Sequence, residues 1–268
     1  MIPKIIHYCW FGGAPKSELM MQCIESWKKY CPDYEIKEWN EDNYDLSANL
    51  YIQQAYEAKR WAFVTDYARL DIIYQHGGIY LDTDVEIIRS LDPLLEHRAF
   101  AGMENVSGKE FSINTGLGFG AEAGFEIIGI WRGMYDHLSF LREDGSMDLL
   151  TTPARTTAYL NTQGFRQEDR IQNIQGMVIY PTEYFSPKQY GSGDICITQN
   201  TFSIHHYADS WKTKEELQQK KQWLLFVRLF GERGANLAFA VRNKLQSGGL
   251  PLLLRSAAKR LLNRSNEG

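Results

Sequence analysis

Two aspartates end a short apolar segment in the stretch HGGIYLDTD, at 76–84. If 79–88 forms a strand, alternate side chains share a face, so Asp82 and Asp84 point the same way. Two neighbouring carboxylates repel each other unless a proton or a cation lies between them. Hard divalent ions such as Mg2+ and Mn2+ prefer such oxygen ligands. The pattern therefore indicates either a cation site at the end of a strand or a polar turn with two solvated acids.

The segment before this pair, WAFVTDYARLDIIYQHGG, predicts a helix over 61–76 that ends at Gly77 and Gly78. Asp66 and Arg69 are at positions i and i+3, so they share one face of that helix. Most other positions are apolar, and charges on a buried helix need partners. The two residues are therefore either a structural ion pair or part of one site with the aspartate pair.

The order of predicted elements favours an α/β domain with a largely parallel sheet. Hydrophobic periodicity predicts strands at 2–8, 35–39, 79–88, 177–180 and 201–205. It predicts helices at 15–30, 51–59, 61–76, 126–141 and 151–160, and helical segments from 215 onward. The glycine-rich segment 111–120 is predicted to be a strand or a loop near a ligand.

Charge is distributed unevenly along the 268 residues. Residues 212–268 carry twelve Lys or Arg and four Asp or Glu, a net charge of +8, whereas the whole chain carries −4, which leaves −12 for 1–211. We therefore predict a globular domain over 1–211 and a basic helical extension over 212–268. The acidic domain indicates no nucleic-acid partner, and the basic extension suits an anionic surface.

The extension contains LPLLLRSAAKRLLNR at 250–264, where leucines and alanines recur at helical spacing between basic residues. This pattern predicts a basic amphipathic helix that lies on an anionic membrane surface, or a helix packed on protein. The N-terminus is too short and too polar for a signal peptide, and the four cysteines lack C-x-x-C spacing. These features favour reduced cysteines and a cytoplasmic protein, attached peripherally at the inner face of the membrane.

The stretch AFVTDYARLDIIYQHGGIYLDTDVEII resembles the signature of the DXD-containing glycosyltransferases of the Och-type, sugar-binding-region family, which is family 32 of the glycosyltransferases. IPKIIHYCWFGG resembles that family's first strand, and SWKKYCPDYEIKEWNE resembles its second helix and strand. The large clostridial glucosylating toxins share this core. The resemblance covers 1–120 and returns at IHHYADSW, 204–211.

The resemblance implies a GT-A-like, Rossmann-like single domain with a mixed central sheet, which binds a nucleotide sugar at the carboxyl edge of the sheet. Asp82 and Asp84 match the pair that holds a divalent ion, Mn2+ or Mg2+, on the donor diphosphate. Asp66 and Arg69 match the pair that contacts the ribose and the sugar of the donor.

Further donor-binding residues follow from the same resemblance. Tyr8 and Trp10 match the end of the first strand, where the base lies, and Trp10 either stacks on a uracil or packs in the core. Asn114 in INTGLGFG is a candidate for contact with the sugar or the acceptor. Thr65 and Tyr80 are additional candidates.

The C-terminal motif supplies the last candidates. In related enzymes a late histidine or asparagine completes the metal shell, and a nearby tryptophan closes over the diphosphate. His205 and His206 are the candidate ligands, and alternation along a strand points them to opposite faces; we favour His206, with packing or surface roles as the alternative. Ser210 and Trp211 match the closing loop.

These residues lead to the hypothesis of a metal-dependent hexosyltransferase. It would move a sugar from a UDP-linked donor to a glycan or a lipid-linked saccharide, with retention implied by the resemblance, in surface polysaccharide synthesis of the capsule or O-antigen type. The cation and Arg69 would stabilise the charge that develops on the leaving diphosphate. Two alternatives stay open: a metal-dependent nucleotidyltransferase or phosphohydrolase, and a non-catalytic carbohydrate-binding protein.

Overall fold

The computed structural model describes residues 1–106, 110–188 and 194–208, together with 218, 221–227, 229, 231 and 234. The chain divides into two compact units, Met1–Trp211 and Lys212–Gly268. The roles given to these two parts remain predictions, and the amphipathic helix expected at 250–264 lies outside the described residues. Within the described ranges, no helix is both long enough and apolar enough to cross a membrane.

The strands of the described residues are short, and most of them belong to the first unit's central sheet. They are β1 (Ile5–Cys9), β2 (Glu35–Trp39), β3 (Gly78–Tyr80), β4 (Val85–Ile87), β5 (Ala99–Asn105), β6 (Phe111–Ile113), β7 (Phe119–Ala121), β8 (Gln172–Ile174), β9 (Met177–Tyr180) and β10 (Ser203–His205). The helices are α1 (Glu18–Tyr30), α2 (Leu50–Glu57), α3 (Trp61–His76), α4 (Glu126–Gly133), α5 (Thr152–Thr162) and α6 (Thr182–Phe185), with a 3-10 turn at Asp92–Glu96.

The central sheet is mixed, with the order β2-β1-β3-β7-β5-β9-β8 and β6 paired to β5. β1 lies parallel to β2 and β3, and β5 lies parallel to β9. β7 is antiparallel to both β3 and β5, so β1, β3 and β5 run in the same direction. Their carboxyl ends therefore meet at one edge of the sheet, which is where open α/β sheets bind ligands.

Side chains alternate between the two faces of this sheet and build one apolar cluster on each. Along β5, Ala99, Ala101 and Met103 join the cluster under α2, α3 and α4, whereas Phe100 joins the cluster that contains Trp27 of α1. β4 leaves the central sheet and pairs antiparallel with β10. The chain can change sheets because it turns between β3 and β4, with the Val85 amide bonded to the Asp82 carbonyl.

The helix α3 ends where the sequence predicts, at Gly77 and Gly78. Both glycines have positive φ, at 66° and 99°. A Cβ at Gly77 would come within 2.8 Å of the Ala123 backbone nitrogen, and one at Gly78 within 2.8 Å of the Ile5 carbonyl oxygen. Only glycine allows this tight passage from α3 into β3, which brings the helix charges close to the aspartate pair.

Most predicted elements are confirmed, including the α/β class, the mixed sheet and the strands at 35–39 and 177–180. The three cysteines Cys9, Cys23 and Cys31 are buried and free, as expected, and Cys196 is free and exposed. The helix predicted over 15–30 begins later, at Glu18, because Ser17 caps it by accepting the Met20 amide.

Two predicted elements are wrong in extent, and one central strand was missed. The strand predicted over 79–88 is two strands of different sheets, so Asp82 and Asp84 lie in the turn between them and not on one strand face. The helix predicted over 126–141 ends at Gly133, after which turns of i to i+3 hydrogen bonds follow. No element was predicted for β5, because its run of small apolar residues has no clear period.

Candidate active site

A cavity of about 690 Å3 opens at the carboxyl edge of β1, β3 and β5. Its lining combines charged residues with aromatic and small side chains from segments that are far apart in sequence. Among the residues predicted for the site, the lining includes Trp10, Thr65, Asp66, Arg69, Tyr80, Asp82, Asp84, Asn114 and His205. A concave pocket with a few convergent polar groups is the usual form of a small-molecule site.

Arg69 connects the helix α3 to the aspartate pair. Its Nη2 lies 3.4 Å from Asp66 Oδ1 and 3.4 Å from Asp82 Oδ1, and its Nε donates to the Thr65 carbonyl at 3.1 Å. Its guanidinium stacks over the Tyr80 ring, 5.0 Å from the centroid. Burial works against the charge of Arg69, but the Asp82 carboxylate and then Tyr80 and Asp66 outweigh it and raise the pKa of Arg69. The guanidinium is thus a fixed positive charge in the cavity.

Asp66 is held on both sides. Its Oδ2 accepts the backbone amide of Thr152 at 3.0 Å, at the N-terminus of α5, where unpaired amides and the helix dipole favour an anion. Burial raises the pKa of Asp66, while Arg69 and the Thr152 amide partly offset that rise. The two bonds leave this carboxylate little freedom to rotate.

The turn after β3 places Asp82 and Asp84 in different surroundings. The Asp82 side chain is 28% exposed and accepts a hydrogen bond from the Tyr80 hydroxyl at 3.2 Å. Asp84 is buried, and its Oδ2 accepts the Ala208 amide at 2.7 Å while its Oδ1 lies 3.1 Å from His205 Nε2. Burial disfavours the charged form of Asp84, but His205 and the Ala208 amide outweigh it and hold the pKa of Asp84 well below its usual range.

His205, and not His206, completes the group. One ligand atom from each of Asp82, Asp84 and His205 lies within 4.8 Å of the others. His206 instead contacts Glu86, with 2.9 Å between Nε2 and Oε2. The preference for His206 is therefore corrected: β10 ends at His205, and its antiparallel pairing with Val85 turns the His205 side chain toward the aspartates.

Two carboxylates and one imidazole fit a divalent cation. Carboxylate oxygens suit Mg2+ and Mn2+, and an imidazole is common among the ligands of transition metals. In the described part of the chain His205 Nδ1 is buried without a hydrogen-bond partner, so the polar contact of this ring is made by Nε2. The Asp84 carboxylate outweighs the burial of His205 and raises the pKa of this histidine. A bound cation would compete with a proton for the His205 ring, because only neutral imidazole binds metals.

The cavity also carries a second polar group, which is separate from the candidate cation ligands. Glu104 at the end of β5 accepts hydrogen bonds from Asn114 Nδ2 and from the Tyr207 hydroxyl, both at 3.0 Å. Asn114 Oδ1 in turn accepts the Gly116 amide at 2.8 Å. Glu104 and Tyr207 were not predicted for the site. They were missed because the strand β5 was not predicted. A predicted β5 would have placed Glu104 at the carboxyl edge of the sheet, where ligands bind.

The remaining predicted residues divide into three groups. Trp10 lines the cavity, and its indole donates to the Ala14 carbonyl at 2.7 Å, which fixes the ring. Tyr8 does not line the cavity; its side chain packs on Trp27 and donates to Glu38 at 2.5 Å, because alternation along β1 turns it to the other face. Ser210 and Trp211 lie outside the described residues.

Comparison with known proteins gives a class for this site. Residues 17–101 match the family model described as "Glycosyltransferase sugar-binding region containing DXD motif". That segment contains Asp66, Arg69 and the D-x-D of Asp82 and Asp84. The predicted resemblance to DXD-containing glycosyltransferases is confirmed over this segment.

One curated relative is an inositol phosphoceramide mannosyltransferase, number 3, of Schizosaccharomyces pombe. The chain is 35% identical to it over 123 residues, which is 40% of this chain and 31% of the relative. The chain thus spans about a third of the relative's length. The similarity is to a glycosyltransferase, in agreement with the family model.

Several solved structures with similar backbones are described as glycosyltransferases. They include the PaToxG glycosyltransferase (18% identity, 60% of this chain and 69% of that one, TM-score 0.45) and the galactosyltransferase LgtC with donor and acceptor sugar analogues (15%, 81% and 93%, 0.42). A third is a glycosyltransferase involved in glycosylation of the major capsid of PBCV-1 (14%, 83% and 99%, 0.43). TM-scores below 0.5 carry no weight for the assignment.

Proposed function

We propose that this protein is a metal-dependent glycosyltransferase of the GT-A type that transfers a sugar from a nucleotide sugar to a saccharide acceptor. The observation that supports this most is the convergence of Asp82, Asp84 and His205 within 4.8 Å in a cavity that also holds Arg69. Two carboxylates, an imidazole and one fixed cation suit a substrate whose diphosphate binds through a divalent ion.

The cation site would lie on the Asp82, Asp84 and His205 side chains. A divalent ion bound there supplies electrostatic stabilisation of the negative charge that develops on the leaving diphosphate. The ion also joins two anions, the carboxylates and the diphosphate, that otherwise repel each other.

The protein's own groups bind and orient the donor. Arg69 is held by Asp66, Asp82 and the Thr65 carbonyl, so its charge is preorganised and needs no rearrangement as the leaving group departs. Asp66, fixed by Thr152, presents acceptor oxygens to ribose and sugar hydroxyls. Trp10 offers a ring at the end of β1 on which a base can stack.

The finer points of the function are also proposals. We infer a UDP-linked donor, Mn2+ or Mg2+ as the ion, retention at C1 and membership in family 32, from the motif resemblance and from the ligand set. The acceptor would be a glycan or lipid-linked saccharide in surface polysaccharide synthesis. The oxygen-rich ligand set favours Mn2+ over Zn2+.

We further propose that the basic extension over 212–268 attaches the enzyme to an anionic membrane at the cytoplasmic face. Its net charge of +8 supports this, because each Lys or Arg near an anionic surface adds roughly 1 kcal/mol of attraction. Arg255→Glu with Lys259→Glu in the full chain should abolish cosedimentation with phosphatidylglycerol vesicles. Unchanged binding by this double variant would exclude the membrane role.

The reaction class is tested by thermal unfolding and nucleotide release with UDP-glucose, UDP-galactose, UDP-N-acetylglucosamine and GDP-mannose, each with Mn2+ or with EDTA. We expect one donor to stabilise the protein with Mn2+ only. Asp82→Asn combined with Asp84→Asn should abolish that stabilisation, whereas Asp42→Asn, on an exposed side chain, should not. A lack of response to all four donors with Mn2+ would contradict the proposal.

Product analysis separates the alternative activities. A transferase releases the nucleoside diphosphate and forms a new glycoside. A phosphohydrolase or nucleotidyltransferase releases sugar phosphate, and a carbohydrate-binding protein without activity releases neither product.

A further inference from the structure

We propose that the Glu104 carboxylate binds a hydroxyl group of the acceptor saccharide, so that the wall formed by Glu104, Asn114 and Tyr207 is the acceptor subsite. This inference rests on the proposed function, and it assigns the second substrate to a defined part of the same cavity. Glu104, Asn114 and Tyr207 all line the cavity.

The hydrogen-bond partners of Glu104 distinguish it from the other carboxylates of the cavity. Asp66 and Asp82 pair with Arg69, and Asp84 contacts His205. Glu104 instead accepts from two neutral donors, Asn114 Nδ2 and the Tyr207 hydroxyl, and forms no ion pair within the described residues. With no cationic partner among the described residues, the Glu104 oxygens favour ligands that donate hydrogen bonds.

The stoichiometry of these bonds leaves room for a ligand. A carboxylate offers about four acceptor positions, two on each oxygen. Asn114 uses one on Oε1 and Tyr207 uses one on Oε2. Glu104 is only partly buried, so one position on each oxygen remains for a donor from the cavity. Saccharide hydroxyls are such donors.

Charge decides which substrate Glu104 can serve. The diphosphate of a nucleotide sugar is an anion, and a carboxylate without a cation between them would repel it. The Glu104 wall is therefore unsuited to the diphosphate, in contrast to the wall with Arg69. A neutral saccharide meets no such repulsion.

The surroundings of Glu104 also suit an incoming second substrate. Asn105 and Val106, the next residues along the chain, are exposed and line the cavity. Val106 is 52% exposed and offers an apolar surface to the C–H face of a sugar ring. The acceptor can thus enter from solvent beside Glu104.

Tyr207 shows that this wall is held in a specific geometry. Its backbone has φ of 54°, which is unusual for an aromatic residue and carries strain. That conformation lets the ring pack on His205, 4.2 Å between centroids, while the hydroxyl reaches both Glu104 and Ser186. The acceptor wall and the cation site are therefore in contact through one aromatic side chain.

The test compares transfer with donor hydrolysis in Glu104→Gln. The donor is the nucleotide sugar selected by wild type, with Mn2+, and the acceptors are methyl and octyl glycosides of glucose, galactose, mannose and N-acetylglucosamine. Glutamine keeps the side-chain shape but removes the charge and one acceptor oxygen. We expect the ratio of transfer to hydrolysis to fall roughly ten- to a hundredfold, the loss expected for a hydrogen bond to a charged group.

Two further variants complete the design. Tyr207→Phe keeps the ring but loses the hydroxyl, and should lower the same ratio through a higher KM for the acceptor. Glu96→Gln, on an exposed residue of the 3-10 turn, should match wild type. Thermal unfolding of each variant shows whether it is folded. If Glu104→Gln does not fold, the result for Tyr207→Phe decides whether this wall is the acceptor subsite.

The outcomes separate this inference from the proposed function. If wild type neither binds nor hydrolyses any nucleotide sugar, the transferase itself is excluded. If wild type is active but Glu104→Gln loses hydrolysis and transfer equally, Glu104 serves the donor and the acceptor subsite is wrong. The acceptor subsite is also wrong if Glu104→Gln leaves the ratio of transfer to hydrolysis unchanged. The same holds if wild type transfers sugar to none of the glycosides.

Discussion

Gly116 lies directly against the carboxylate of Asp82. A Cβ built on Gly116 would come within 2.1 Å of Asp82 Oδ2 and 3.1 Å of Arg69 Nη1, and the Asp82 amide donates to the Gly116 carbonyl at 3.0 Å. The backbone of the glycine-rich segment 111–120 thus packs directly against the Asp82 carboxylate. Any side chain at this position must displace a proposed cation ligand.

Gly116→Ala should therefore weaken the binding of Mn2+ and of the donor more than it weakens the fold. A contact of 2.1 Å cannot persist, so the Asp82 carboxylate must rotate away from Arg69 and His205. We expect at least a tenfold rise in the Kd for Mn2+, since even outer-shell changes cost about ten- to a hundredfold. Isothermal titration calorimetry measures this.

Gly133→Ala provides the matched control for that variant. Gly133 ends α4, and the atom nearest to a Cβ there is Asp136 Oδ2 at 3.7 Å, which is ordinary contact. It should bind Mn2+ as wild type does. Equal binding by Gly116→Ala and Gly133→Ala would show that the Asp82 position is not required.

The two adjacent histidines should behave differently. His205→Gln removes the imidazole that lies with Asp82 and Asp84, and should raise the Kd for Mn2+ by more than about tenfold. His206→Gln removes only the contact with Glu86 and should change that Kd by less than about threefold. A stronger effect of His206→Gln than of His205→Gln would reverse the assignment of the ligand.

Arg69→Lys should lower kcat by about a hundredfold, although it keeps the positive charge. An ammonium cannot reproduce the planar contacts with Asp66, Asp82 and the Thr65 carbonyl. The loss of preorganised charge at a leaving group typically costs about 10²–10³ in kcat. Steady-state kinetics at saturating donor test this, with Arg98→Lys as the control because Arg98 is exposed and pairs with Glu122. Equal kcat for both variants would contradict a role for Arg69 in the reaction.

Stability should fall as the pH is lowered from about 7 to about 4, in part because of His7. Burial lowers the pKa of His7 to about 4, while its Nδ1 accepts the Trp39 indole N–H and its Nε2 donates to the Gly77 carbonyl. The unfolded chain binds a proton near pH 6.5 and the native protein does not. Stability due to His7 is therefore fully present above pH 6.5 and is lost as the pH falls toward 4, by roughly 3 kcal/mol.

Urea unfolding across that pH range measures the effect. His7→Gln should be less stable at neutral pH but should lose less stability on acidification, whereas His137→Gln, on an exposed side chain, should follow wild type. Identical pH slopes for wild type and His7→Gln would show that His7 does not titrate between the two states.

The local features of the site could be predicted from the sequence. The spacing of Asp66 and Arg69 placed both on one helix face, and their side chains meet at 3.4 Å. The two glycines after α3 correctly indicated where that helix ends. The aspartates were expected together for the wrong reason, because they lie in a turn and not on one strand face. The Asp82 amide donates to the Gly116 carbonyl, and the Asp84 carboxylate accepts the Ala208 amide.

The long-range features could not be predicted. His205 contacts Asp84 across 121 residues of sequence because β10 pairs with β4. Tyr207 contacts Glu104 across 103 residues, and its backbone is left-handed. No local sequence pattern predicts either contact. β5 was missed because a strand buried on both faces reads as a continuous apolar run. Sequence spacing determines which side chains share an element, whereas tertiary pairing determines which elements face each other.

The pairing of β4 with β10 has a consequence for how the protein matures during translation. Asp84 is made early, but its histidine partner and the Ala208 amide are made more than a hundred residues later. The proposed ion-binding group therefore cannot form on a nascent chain whose β10 is still inside the ribosome. On a partly synthesised chain Asp82 could already pair with Arg69, whereas Asp84 would lack both of these partners. On this proposal the cation would bind only after β10 has paired with β4 and has brought His205 to Asp84.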